Sequence, residues 1–179
     1  MERLVKYLYH KDQKLFIYIN KKAKCKLLDF TMPKVTHLGG ASFTILSCLL
    51  LYLFGQEESK IASAEAFITL ITSQSIVQIF KNKIYRKRPY MVINGVNTFW
   101  NKLLKDYSFP SGHTTAGFSL AVIFSIHFPA YSLIIYPLAT MVGVSRIYTG
   151  MHYPSDVLSG AFLGSIFAFV THSVKELLI

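Results

Sequence analysis

A chain of 179 residues that is 52% hydrophobic and only 16% charged has room for one domain and too little polar surface for an ordinary water-soluble one. Its net charge of +10 admits two kinds of partner, nucleic acid or the anionic phosphates of a membrane surface. The basic residues fall between apolar runs instead of forming a polar domain of their own, which sets nucleic acid aside and leaves phosphate-bearing lipid as the expected partner.

The first 34 residues interleave Leu4, Val5, Leu8, Leu15, Phe16, Ile17 and Ile19 with lysines. No apolar stretch there is long enough for the core of a signal peptide. The alternation predicts an amphipathic helix lying in the membrane interface, its lysines reaching to phosphates. Five runs then approach the ~20 mostly apolar residues that a bilayer crossing requires. They are Val35 to Gly55, Ile61 to Phe80, two from the uncharged stretch Thr114 to Ser145, and Pro154 through Val174. A single helix over 114–145 would overshoot the hydrocarbon thickness, so a turn is expected at His127, Phe128 and Pro129, where proline interrupts the hydrogen-bond ladder. Pro154 suits a first helical turn. The expected fold is all-α, a polytopic membrane helical bundle of about five transmembrane helices preceded by an interfacial amphipathic helix. It forms one unit over 1–179, with a basic interfacial segment at 1–34 and the transmembrane bundle at 35–179. Cys25 and Cys48 have no metal-ligand spacing and receive no role.

With five spans, the N-terminal segment, the loop Lys81 to Pro110 and the short loop Ile147 to Tyr153 share one face of the membrane. Three clusters lie at that face. Lys81 is followed after six residues by Arg88 and Pro89; Pro110, Ser111, Gly112 and His113 are contiguous; Ser145 and Arg146 are followed by His152 after five residues and by Asp156 after three more. In order and spacing these resemble the three-part signature of the type 2 phosphatidic acid phosphatase superfamily, which also contains bacterial acid phosphatases and vanadium haloperoxidases. The four fixed positions of the second cluster alone would match by chance about once in 10⁵ sites. With the spans included, the resemblance covers roughly Val35 to Val174.

The resemblance implies a membrane phosphatase that acts on a lipid phosphate or diphosphate through a phosphohistidine. In that scheme Lys81, Arg88 and Arg146 hold the phosphoryl oxygens, while Ser111 and the amide of Gly112 add neutral donors at a helix start. His152 attacks phosphorus and Asp156 orients it; His113 protonates the departing oxygen and then activates water. The residue types suit this chemistry. A phosphoryl group in transit spreads negative charge over its equatorial oxygens, and fixed donors stabilise it there. Arginine offers a planar fork, lysine a point charge and a helix start its unpaired amides, whereas imidazole supplies both nucleophile and proton carrier near neutral pH. No metal or other cofactor is expected, because a site dominated by cations repels a divalent ion.

Each cluster alone admits a plainer reading. Lys81, Lys83, Arg86, Lys87 and Arg88 could form a solvated loop or a headgroup contact, Pro110 to His113 a turn entering a helix, and His152 with Asp156 a structural pair. Their common order on one face favours the site. Two other functions fit the same residues. A haloperoxidase holding vanadate on His152 is disfavoured by a small chain rich in spans, and a non-catalytic lipid-headgroup binder or transporter would not require His152 or Asp156. His10, His37, His127 and His172 are read as structural or interfacial.

Undecaprenyl diphosphate, phosphatidylglycerophosphate and phosphatidic acid all present a phosphate at the interface and a tail in lipid. Many bacterial undecaprenyl diphosphatases of the superfamily carry aspartate where Gly112 stands, so the glycine leans toward a broader lipid phosphate phosphatase. Bacterial members commonly have six spans and an extracytoplasmic site, and here the first span is missing. Seventeen Lys/Arg stand on the site face against Lys60 and Lys175 on the other. Fourteen remain after Lys81, Arg88 and Arg146 are set aside, so the positive-inside rule predicts a site facing the cytoplasm.

Overall fold

The computed structural model describes residues 2–100 and 105–178, with side chains for Tyr7 and from Tyr9 onward. Leu4, Val5 and Leu8 of the expected amphipathic face lie outside the described side chains. Among the described residues all regular structure is helical.

The N-terminal segment forms helix α1 (Glu2–Ile17), continued by one π-helical turn (Tyr18–Lys22). Tyr7, Leu15 and Tyr18 are exposed, but Phe16 is fully buried against Tyr153, the ring centroids 5.7 Å apart. Polar contacts tie the segment down further. Asp12 accepts the Ser155 N–H at 2.9 Å and also bonds the Ser155 hydroxyl and Arg86. Asn20 donates to the carbonyls of Tyr148 and Asn97 at 2.7 and 2.9 Å. The segment is therefore anchored to the loops of the predicted site as well as presenting an apolar and basic outer surface.

The first predicted span is broken. Helix α2 (Lys26–Val35) passes through a 3₁₀ turn (Thr36–Gly39) into α3 (Ala41–Phe54), and the two halves meet at 56°. The break falls where the backbone of His113 passes: a β-carbon on Gly39 would lie 2.6 Å from the His113 carbonyl oxygen, an approach only glycine allows.

Helix α4 (Glu57–Lys83) extends the second predicted span at both ends, and α5 (Pro89–Val92) is one short turn opened by proline. The uncharged stretch divides where proline required it, into α6 (Gly112–His127) and α7 (Ser132–Tyr148), with a 3₁₀ turn at Pro129–Tyr131 between them. Helix α8 (Pro154–Leu178) begins at the expected proline.

Helix α6 is the hub, packed against α4, α7 and α8. Its contact surfaces are built of small residues. The Ser73 and Ser119 hydroxyls meet at 3.2 Å between α4 and α6, and a β-carbon on Gly164 of α8 would come within 2.3 Å of the Thr115 carbonyl oxygen. Such close approach is how helices associate when lipid removes the hydrophobic drive between them. The outer faces keep Leu49, Leu50, Phe54, Leu133, Phe162 and Val170 exposed, large apolar side chains of the kind that face a membrane or a partner.

By length and apolar character, Pro129–Tyr148 and Pro154–Leu178 are able to cross a bilayer, and the bent pair Lys26–Gly39 and Ala41–Phe54 makes a third if it is one span. Helix α6 is shorter, at 16 residues or about 24 Å, and α4 is interrupted by Glu65, Gln74, Gln78 and several hydroxyl residues.

Candidate active site

Helix ends and short loops carry every predicted site residue. Lys81 is in the last turn of α4, Arg88 precedes α5, Ser111 precedes α6 and His113 opens it. Arg146 is in the last turn of α7, His152 lies in the loop that follows, and Asp156 is in the first turn of α8. This arrangement brings Lys81, Arg88, Gly112, His113, Arg146 and His152 onto the wall of one cavity of about 490 Å³.

His152 is buried, and its orientation is set by the loop. Gly150, at φ +80°, takes a backbone conformation that side chains resist. The turn it makes lets the N–H groups of Met151 and His152 both donate to the Arg146 carbonyl, at 3.0 and 3.2 Å. The end of α7 that carries Arg146 thereby also holds His152. The ring's Nδ1 donates to the Ser108 carbonyl at 2.7 Å, which leaves Nε2 as the unprotonated nitrogen, 3.1 Å from Nη1 of Arg88. Burial pushes the His152 pKa down to about 3; the nearby Asp156 carboxylate opposes this, and the charges of Arg88 and Arg146 add to the fall. The imidazole is thus neutral at ordinary pH, with the lone pair of Nε2 unprotonated.

Asp156 acts on that ring at one remove. Its nearest oxygen is 3.7 Å from Nδ1, beyond hydrogen-bond reach. The buried carboxylate instead accepts the Ser108 hydroxyl at 2.5 Å, the Tyr153 N–H at 2.8 Å and Arg86 Nη1 at 2.6 Å. It fixes the two backbone segments that flank His152. Ser111 also stands behind the cavity wall: its hydroxyl is shared with Thr114 Oγ1 at 2.8 Å, and its N–H donates to the Asp156 carbonyl at 3.0 Å.

The cations are held differently from one another. Arg88, 1% exposed, donates from Nη1 to the Met151 carbonyl at 3.0 Å, from Nε to the Asp106 carbonyl at 3.1 Å and from Nη2 to Asp106 Oδ1 at 2.7 Å. Lys81 Nζ meets the other Asp106 oxygen at 2.5 Å, so one half-exposed carboxylate bridges two cations. Burial alone would raise the Asp106 pKa, but the Lys81 hydrogen bond and the charge of Arg88 outweigh it and hold the carboxyl below its usual value. Arg146 donates from Nη1 to Thr36 Oγ1 at 2.8 Å, and its buried Nε has no hydrogen-bond partner among the described residues. An unmatched buried N–H is costly, and this one belongs to a cation on the cavity wall.

A family model described as the PAP2 superfamily matches residues 62–178, a range containing all three clusters. The chain belongs to the PAP2 superfamily. The undecaprenyl-diphosphatase BcrC of Bacillus subtilis is 32% identical over 154 residues, covering 85% of this chain and 77% of that protein. The lipid A 1-phosphatase of Rhizobium johnstonii is 27% identical over 162 residues, covering 76% of this chain, which spans only 64% of that relative's length. In three dimensions the crystal structure of Aquifex aeolicus LpxE is similar with a TM-score of 0.79 at 28% identity, covering 90% of this chain and 94% of that one.

Four residues of this PAP2 site belong to none of the three sequence clusters as assigned: Asp12, Arg86, Asp106 and Ser108. Arg86 stands in the basic run yet does a separate job, joining Asp12 to Asp156 with its guanidinium 4.2 Å over the Tyr153 ring. Asp106 had one available signal, since it is the single acidic residue between Lys81 and Pro110.

Proposed function

We propose that this chain is a membrane-embedded phosphatase that hydrolyses a lipid phosphate or diphosphate through a phosphohistidine at His152, with no metal ion in the reaction. The observation that carries the reading is the shape of the cavity. Its cationic end, with Lys81, Arg88, Arg146 and the two histidines, continues into an apolar half lined by Ile45, Phe67, Leu70, Ile71 and Val77 of α3 and α4. Ile45, Phe67 and Ile71 are exposed on the outer face, so the groove opens sideways. A phosphate carrying a hydrocarbon chain satisfies both halves at once. In this reading residues 1–179 are one unit of five spans, namely the bent α2–α3 pair, α4, α6, α7 and α8, with α1 in the interface.

The chemistry starts from the unprotonated Nε2 of His152. The lone pair of His152 Nε2 attacks phosphorus as the bond to the leaving oxygen breaks, and His113 gives that oxygen its proton. The negative charge of the phosphate is what lets His113 carry a proton among so many cations. Water then attacks the phosphohistidine, returning a proton to His113 and freeing Nε2. Lys81, Arg88 and Arg146 hold the equatorial oxygens through both steps. Asp106 must give way first, because a dianionic phosphate offers its two cations more charge than a carboxylate does.

Gly112 bears on substrate. A β-carbon there would sit 3.2 Å from Gln74 Oε1, so a larger residue presses on the cavity wall, whereas glycine leaves it open to several headgroups. The test is phosphate release by the purified protein from undecaprenyl diphosphate, lipid A, phosphatidylglycerophosphate and phosphatidic acid, with and without EDTA, beside His152→Ala. Release that survives in the variant, or that stops with EDTA alone, overturns the reading.

The excess of basic residues on the site face supports a cytoplasmic site. In a background lacking Cys25 and Cys48, single cysteines at Gln56 and Asn94 report it. Labelling of Asn94 but not Gln56 by an impermeant reagent in intact cells would reverse the orientation.

A further inference from the structure

The far end of the bundle holds a second cluster that phosphate chemistry does not use. Glu65 is near the start of α4, His127 ends α6 and His172 is near the end of α8. Along these helices they stand 16, 14 and 16 residues from Lys81, His113 and Asp156, or about 21–24 Å. Glu65 is 4% exposed, and a carboxylate so placed needs a compensating charge. Its Oε2 lies 2.9 Å from Nε2 of His127 and its Oε1 2.9 Å from Nδ1 of His172. The three donor atoms all fall within 4.8 Å of one another. The two rings stand edge to face at 85°, centroids 5.9 Å apart, and the remaining nitrogen of His127 is paired with Glu58.

We propose that Glu65, His127 and His172 form a binding site for a divalent first-row transition-metal ion, zinc in the first instance, that ties the ends of α4, α6 and α8 together. Two imidazole nitrogens and a carboxylate are a donor set these ions take, with solvent completing the shell. Contracting the three donors onto bonds of about 2.0–2.2 Å requires shifts of only about 1 Å. Glu58 supplies the outer carboxylate that fixes the tautomer of a metal-bound histidine and raises its basicity. Lys175 is the competitor. Its ammonium lies 3.6 Å from Glu65 Oε2 but 2.8 Å from Glu176, so it is free to leave Glu65 when an ion arrives. The site is independent of the phosphatase reading, since none of its residues touches the cavity.

The test uses tag-free, full-length protein stripped with chelator and titrated with Zn²⁺, followed by calorimetry and by thermal unfolding. One ion per chain is expected, together with a higher Tm. E65Q and H172A should weaken binding by about 100-fold or more, beyond the cost of losing an outer-shell partner, with retained phosphate release showing that they fold; H172A decides if E65Q does not. K175Q should bind zinc more tightly, and H152A should bind it as the unaltered protein does. Absence of saturable binding, binding untouched by H172A, weaker binding in K175Q, or loss of binding in H152A would each overturn the proposal.

Discussion

The two ends of the α4, α6 and α8 bundle gather groups of opposite charge at their centres. At the cavity end, α4, α6 and α8 converge with the flanking loops on Lys81, Arg88 and Arg146, and the carboxylates there are engaged around the cations: Asp12 and Asp156 clamp Arg86, and Asp106 bridges Lys81 and Arg88. At the far end the carboxylate is in the middle, with Glu65 facing two histidines and Glu58 behind one of them. Both ends keep ionisable groups beside apolar helices, where unpaired charge is expensive. The difference lies in which sign stands at the centre: cations ringed by carboxylates at one end, and a carboxylate ringed by histidines and a lysine at the other.

Substitutions should separate the two ends cleanly. The largest effect is expected from His152→Ala, which should lower phosphate release by about 10³-fold or more and leave zinc binding intact; a joint loss would mean the ends are not independent. His113→Ala should cost about 10²-fold in turnover, with the deficit shrinking for substrates whose leaving group needs no proton. Asp106→Asn removes the internal anion from Lys81 and Arg88, so inhibition by inorganic phosphate should tighten by about tenfold. Weaker inhibition would show that Asp106 positions the cations instead of competing with substrate.

A smaller effect concerns pH. His152 is held near 3 by burial, against an ordinary value of 6.5. Between those values the unfolded chain binds a proton that the folded chain does not, so stability should fall as pH drops from about 6.5 toward 3. Denaturation of His152→Gln across that range should show a flatter dependence. The smallest effect is that of chelator, which should leave the initial rate of phosphate release within about twofold while lowering Tm.

The charged clusters could be read in the sequence because their members are close together and the chemistry is carried by residue type. The turn at Pro129 and the start of α8 were equally open, since proline acts locally. The break at Gly39 was not, because Val35 to Gly55 is uncharged throughout and the close approach of Gly39 to the His113 backbone is a tertiary contact. Asp106 and Asp12 act across 25 and 74 residues of chain, a distance no spacing pattern encodes. Asp156 shows the intermediate case: its membership of the site was legible, whereas its hold on Ser108 and Tyr153 instead of on Nδ1 depends on where the loop folds.

The sideways mouth between α3 and α4 has a kinetic consequence. An enzyme loaded through such an opening never lifts its substrate out of the bilayer, and searches for it in two dimensions. Turnover should then follow the mole fraction of substrate in the surrounding lipid and not its amount per volume of buffer. Diluting a vesicle with inert lipid should slow the reaction, whereas diluting the suspension should leave the rate per enzyme unchanged.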